Sequence, residues 1–103
     1  VVVGGTSDEV IDVAIRGADG WDGPGEDLAR YARLAQRVAR RAQELGRDRP
    51  LTREATLFVA DVGVERLRSH VARLAEAGAE RATIVLHTER GPDWVRRVAD
   101  AVL

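Results

Sequence analysis

The feature that most constrains this chain is a repeated change of hydrophobic period. Short apolar runs rich in β-branched residues alternate with longer stretches in which apolar residues return every three or four positions, and glycine stands at most of the joins. A period of two and a period of 3.6 cannot share one segment, so each switch marks a boundary between strand and helix. Val1-Val2-Val3 is expected to be the end of a buried strand, broken by Gly4-Gly5. Thr6 and Glu9 have the S/T-x-x-E spacing of a capping box, and Val10, Ile11, Ala14 and Ile15 follow at helical spacing as far as Gly17. Ala18 to Asp22 reads as a short strand and Gly23-Pro24-Gly25 as a loop. A long helix is expected from Glu26 to Leu45, with Leu28, Tyr31, Leu34, Ala35, Val38, Ala42 and Leu45 inward. After the polar connection Arg47-Asp48-Arg49-Pro50 come a strand over Ala55 to Val62 and a helix over Val64 to Ala77 with Val64, Leu67, Val71, Leu74 and Ala75 inward. A last strand, Ala82 to His87, leads through Thr88 to Gly91 into a helix that starts at Pro92 and buries Val95, Val98, Ala99 and Val102.

The order β-α four times over, with nearly continuous apolar strands, predicts an α/β fold in which helices cover a parallel sheet through right-handed crossovers. Four βα units in 103 residues make half of an eightfold (β/α)8 TIM barrel, which takes ~250 residues. Residues 1–103 are therefore expected to form a single partial domain. Left open, such a sheet keeps two raw edges and one uncovered face, which something must cover.

Composition narrows the function classes. Sixteen arginines (there is no lysine) against seventeen Asp plus Glu leave a formal charge of −1. That balance speaks against nucleic acid or an anionic membrane as partner. The absence of cysteine excludes disulfides, thiolate metal sites and thiol nucleophiles. No apolar run reaches 18 residues and no charged-then-apolar leader precedes the first strand, so a cytoplasmic protein is expected. An unprocessed translation product starts with Met, and residues are accordingly expected ahead of Val1.

The candidate site residues lie where strands are expected to end. A strand that finishes in Gly4-Gly5 and hands over at once to a capped helix brings backbone N–H groups to the positive end of a helix dipole, with the Thr6 and Ser7 hydroxyls as further donors. Two readings stand: an anion cradle, or a tight turn whose Thr6 only caps its helix. Asp19, Gly20, Trp21 and Asp22 are expected at the C-terminal end of the second strand, the end that faces the active site in a barrel. There the indole of Trp21 either walls a ligand pocket or packs under the next loop, and Asp19 holds the turn. Asp61 and His87 are expected at equivalent positions on the third and fourth strands, as substrate or rim candidates. His70 is expected to be solvated, and the Arg-rich side of the long helix to be a salt-bridged surface. The two histidines have no metal-ligand spacing, no G-x-S-x-G elbow exists, and no metal site is expected.

Val2-Val3-Gly4-Gly5-Thr6-Ser7 with Gly17-Ala18-Asp19-Gly20-Trp21, then Glu44-Leu45-Gly46-Arg47-Asp48 and Leu74-Ala75-Glu76-Ala77-Gly78-Ala79-Glu80, in that order and spacing, resemble the luciferase-like monooxygenase superfamily. The resemblance covers the whole chain and matches it to the fifth to eighth strands of that family's barrel. It implies the C-terminal part of a flavin- or F-420-dependent oxidoreductase acting on a small-molecule substrate, with FMN or coenzyme F-420 as cofactor. It also implies that Gly4, Gly5, Thr6 and Ser7 hold the cofactor phosphate while Trp21 lines the ring. Because other contacts of the family come from the first four strands, the fragment alone is expected to be inactive. The partner is then the N-terminal half of the barrel or a second subunit, and a homo-oligomer is expected. A non-catalytic half-barrel module that self-associates or pairs with a separate half is the alternative.

Overall fold

The computed structural model describes residues 1–86 and 91–103. Strands β1 (Val2–Gly4), β2 (Gly20–Pro24), β3 (Thr52–Phe58) and β4 (Arg81–Val85) alternate with helices α1 (Asp8–Gly17), α2 (Leu28–Glu44), α3 (Val59–Val62), α4 (Val64–Glu76) and α5 (Gly91–Val102). The strands form one sheet in the order β1-β2-β3-β4, and all three pairings are parallel. The order never reverses, so right-handed crossovers lay every helix on the same side of the sheet. One face is therefore covered and the other is bare. The Cα radius of gyration, 14.7 Å, exceeds the ~13 Å of a compact domain of this length, as an open slab should. None of the described helices is long and apolar enough to cross a membrane.

Strand alternation and register sort the side chains into rows. Toward the helices stand Val3, Trp21 and Arg53, then Gly23, Ala55 and Ala82, then Leu57 and Ile84. They meet Ile11, Ala14 and Ile15 of α1, Tyr31, Leu34, Ala35 and Val38 of α2, Leu67 and Leu74 of α4, and Trp94 and Val98 of α5 in one core. The bare face carries Val2, Gly20 and Thr52, then Gly4, Asp22, Glu54 and Arg81, then Pro24, Thr56 and Thr83, then Phe58 and Val85. Phe58, the last residue of β3, is 42% exposed there.

Ion pairs and capping contacts fix the helices. Arg41 of α2 grips Asp12 of α1 with two hydrogen bonds of 2.8 and 2.9 Å, which hold the Asp12 carboxyl below its ordinary pKa. Arg47, in the connection after α2, donates to the Ile15 carbonyl at the end of α1 and to the Pro50 carbonyl ahead of β3. A cation at a helix C-terminus satisfies carbonyls that have no partner within the helix.

Several boundaries differ from the sequence expectation. β2 runs through Gly23 and Pro24, the supposed loop, and starts two residues later than Ala18. β3 begins at Thr52 and ends at Phe58, and the apolar run beyond it turns into the short helix α3. Ala75 is exposed on α4, and α5 turns Trp94 and Val98 inward while Val95 is 42% exposed.

Tyr31 gives the core a single-group pH signature. Its ring is fully buried, its hydroxyl donates to the Glu54 carbonyl at 3.1 Å, and burial pushes its pKa up to about 12. The chain contains no lysine, no cysteine and no second tyrosine, so no other side chain changes charge between about pH 10 and about pH 12. The folded pKa lies above the unfolded one, so this contribution is complete below about pH 10 and is lost as pH rises toward about 12, by about 2–3 kcal/mol. Denaturation midpoints measured across that window should fall for the natural chain and stay flat for Tyr31→Phe. The same slope in both would contradict the assignment.

Candidate functional site

Two places collect polar groups, one past the tip of β1 and one midway along β2 and β3, and the sheet lies between them. The first is the turn after β1. Val2–Gly4 lies in the sheet as its edge strand, with its tip at the same end as the tips of β2 and β3. The N-cap of α1 is Ser7, not Thr6: the Ser7 hydroxyl oxygen accepts the Val10 N–H at 3.3 Å. The one-residue shift leaves the Thr6 hydroxyl outside the cap. Thr6 lines a cleft of about 350 Å³ with Arg30, Arg33, Leu34 and Arg37 from the first half of α2. Arg37 pairs with Asp8, whereas Arg30 and Arg33 have no carboxylate partner among the described residues. This donor set, a hydroxyl and two unpaired guanidinium groups, suits an anion.

The two glycines do less than expected. The Gly5 N–H is already donated to the Asp22 carbonyl at 3.2 Å, and its carbonyl accepts the Trp21 Nε1–H at 2.8 Å. A Cβ on Gly5 would meet Val10 at 2.7 Å, with φ at +148°, so packing against α1 requires glycine here whether or not a ligand binds. Gly4 sits against the Asp22 carboxylate, 3.6 Å from where its own Cβ would be. A phosphate on the bare-face side of Gly4 would therefore meet a carboxylate. The Thr6 side of the turn fits a phosphate; the Gly4 side does not.

Trp21 is a correction. It is the second residue of β2, not its tip, and its side chain is 0% exposed, pointing among the helices. A ring without exposed surface offers no wall to a cofactor. It stacks on Tyr31 with centroids 5.9 Å apart and anchors the turn through Gly5. Asp19 precedes β2, at the opposite end of the sheet from the Gly4 tip, where it is exposed and lies 3.7 Å from Arg49. Asp61 is on α3 just past the tip of β3, exposed, and not on a strand. His87 lies outside the described residues. His70 is half-buried rather than solvated: its Nε2–H donates to the Gly25 carbonyl at 2.5 Å and ties α4 to the loop after β2.

The second polar place, on the bare face, was hidden from the sequence reading. Asp22 and Glu54 stand side by side on β2 and β3, with Thr56 two residues further along. The Thr56 hydroxyl bridges both Asp22 carboxylate oxygens at 3.0 and 2.9 Å. Partial burial nevertheless pushes the Asp22 carboxyl above its ordinary pKa, against the pull of that hydrogen bond. The signal for it is the alternation of Glu54 and Thr56 with Ala55 and Leu57 in a strand that starts at Thr52. Among the described residues no group of three His, Cys, Asp or Glu side chains could hold a metal ion.

A comparison with protein-family models finds no match, and no curated protein matches the chain. The site must be read from its chemistry. Thr56→Val removes a hydrogen bond that favours the charged form of Asp22, so the carboxyl pKa should move further up, as read from a side-chain ¹³C titration. An unchanged or lowered value would show that the hydroxyl does not stabilise the carboxylate.

Proposed function

We propose that this chain is the second half of a luciferase-like (β/α)8 barrel and that the turn after β1 receives the phosphate end of FMN or coenzyme F-420. The observation that carries the reading is the unreversed parallel order β1-β2-β3-β4 with one uncovered face. A doubly wound sheet reverses its strand order at a switch point and covers both faces, whereas a barrel segment does neither. The polar cleft at the C-terminal end of β1, where barrel sites lie, supports the same reading.

In this proposal the Thr6 hydroxyl and the α1 amides bind the phosphate, and Arg30 and Arg33 balance its charge. Arg37 is held aside by Asp8. Ser7 keeps the helix capped, and Trp21 fixes the turn from behind through the Gly5 carbonyl. The bound (deaza)flavin would supply hydride transfer, or oxygen activation in its reduced form. The chain's own part is to position the cofactor's anionic end, so these 103 residues alone are expected to bind without turnover. The bare face supports a second reading, a non-catalytic half-barrel that pairs through that face.

Titration of the chain with FMN, with F-420 and with riboflavin, followed by fluorescence, tests the assignment. At least one phosphate-bearing cofactor should saturate the chain and riboflavin should not. Replacing both Thr6→Val and Arg33→Gln should weaken binding by about tenfold or more, equivalent to ~1.4 kcal/mol. Equal affinity for FMN and riboflavin, no binding of either phosphate-bearing cofactor, or indifference to the double substitution would overturn it.

A further inference from the structure

A cleft of about 450 Å³ opens between the start of α2 and the first turns of α4, lined by Leu28, Glu65, Arg66, Ser69, His70 and Arg73. Leu67 and Leu74 carry α4 into the core. Positions 66, 69, 70 and 73 then share another face of that helix, being spaced i, i+3, i+4 and i+7.

The cations of this face are unused. Arg68, elsewhere on α4, donates to the Asp100 and Ala101 carbonyls near the end of α5. Arg66 and Arg73 are exposed and make neither hydrogen bond nor ion pair among the described residues. Glu65, the carboxylate beside them, is paired with Arg97 of α5 at 3.4 Å.

His70 is held in place by its bond to the Gly25 carbonyl. A carbonyl oxygen only accepts, so Nε2 is the protonated nitrogen of the neutral ring and Nδ1 is left with a lone pair. Nδ1 has no partner among the described residues, and none of their fully buried side-chain polar atoms lacks one, so Nδ1 keeps contact with solvent. A monoprotonated phosphate donates to such a nitrogen, and a phosphate dianion draws a proton onto it. Either way a hydrogen bond forms.

We propose that this cleft binds the phosphate of a phosphomonoester. Arg66 and Arg73 balance its charge, the Ser69 hydroxyl donates to it, Nδ1 of His70 completes the set, and Leu28 contacts the esterified group. A phosphomonoester carries about −1.5 to −2 charge at neutral pH and three terminal oxygens, which matches two guanidinium groups, a hydroxyl and an imidazole. A carboxylate has one charge and two oxygens. The site shares no residue with the Thr6 cleft, so it stands or falls apart from the cofactor reading.

The probes are inorganic phosphate and phenyl phosphate, exchanged against sodium chloride at constant ionic strength because salt screens exposed charges. Binding is followed by ¹H–¹⁵N spectra of the His70 ring and the Ser69 amide. Both signals should shift and saturate together, with phenyl phosphate the tighter ligand through its contact with Leu28. Replacing both Arg66→Gln and Arg73→Gln should weaken binding about tenfold or more, whereas Arg33→Gln in the Thr6 cleft should leave these titrations unchanged. Shifts that rise without saturation, a titration that survives the double replacement, or one that is lost in Arg33→Gln would overturn the site. Saturation by inorganic phosphate with no gain for the phenyl ester would overturn the assignment to a phosphomonoester.

Discussion

The packing of one indole joins three parts of this fold. Trp21 leaves the second position of β2, enters the helix layer with none of its surface exposed, and stacks on Tyr31 of α2. Its N–H reaches back to the Gly5 carbonyl in the turn after β1. The ring lies so close over its own strand that a Cβ on Gly23 would stand 2.4 Å from it. The position of the edge strand's turn, the seat of α2 and the path of β2 are thus coupled through a single buried side chain. The turn that presents Thr6 to the arginine-lined cleft is shaped from behind by the core.

The sheet gives the two candidate sites different characters. On the covered side, residues such as Ala55 and Leu57 are wholly buried and leave no room for chemistry. Chemistry is left to the strand tip, where α1 begins, and to the bare face, where polar side chains occupy alternate positions of β2 and β3. The strand-tip site draws its charge from α2, which the Trp21–Tyr31 stack and the Arg41–Asp12 pair help to seat. On the bare face, partial burial holds the Asp22 carboxyl above its ordinary pKa against the Thr56 hydrogen bond.

Most of the architecture was legible because the change of period is strong. Ile11, Ala14 and Ile15 lie inward on α1, and Tyr31, Leu34, Ala35 and Val38 on α2, as their spacing requires. The site was harder to read because element edges decide where strand tips lie. Gly23 and Pro24 resemble a loop by composition, yet Gly23 continues the strand because the indole needs the space of its missing side chain. Pro24 closes the strand, and the ladder passes beyond it through the Gly25 N–H to the Thr56 carbonyl. That extension moves Trp21 and Asp19 away from the tip. Thr52-Arg53-Glu54 resemble a polar connection, but they lie in β3. A strand open on one side tolerates such residues, and an expectation of continuous apolar strands overlooks them. The N-cap shifted from Thr6 to Ser7 because either hydroxyl can cap, and spacing to Glu9 alone does not choose between them.

The central claim, that the close fit of Trp21 over Gly23 holds this arrangement together, is tested most directly by comparing two glycine substitutions in chemical denaturation. A Cβ on Gly17, at the end of α1, meets nothing within 4 Å and its φ is not in the left-handed region, so Gly17→Ala should be neutral or stabilising by up to ~1 kcal/mol. Gly23→Ala drives its Cβ into a buried ring and should destabilise by about 1–3 kcal/mol. A Gly23→Ala chain as stable as the natural one would show that the indole is not packed against β2 in this way, and the coupling of turn, helix and strand would fail with it.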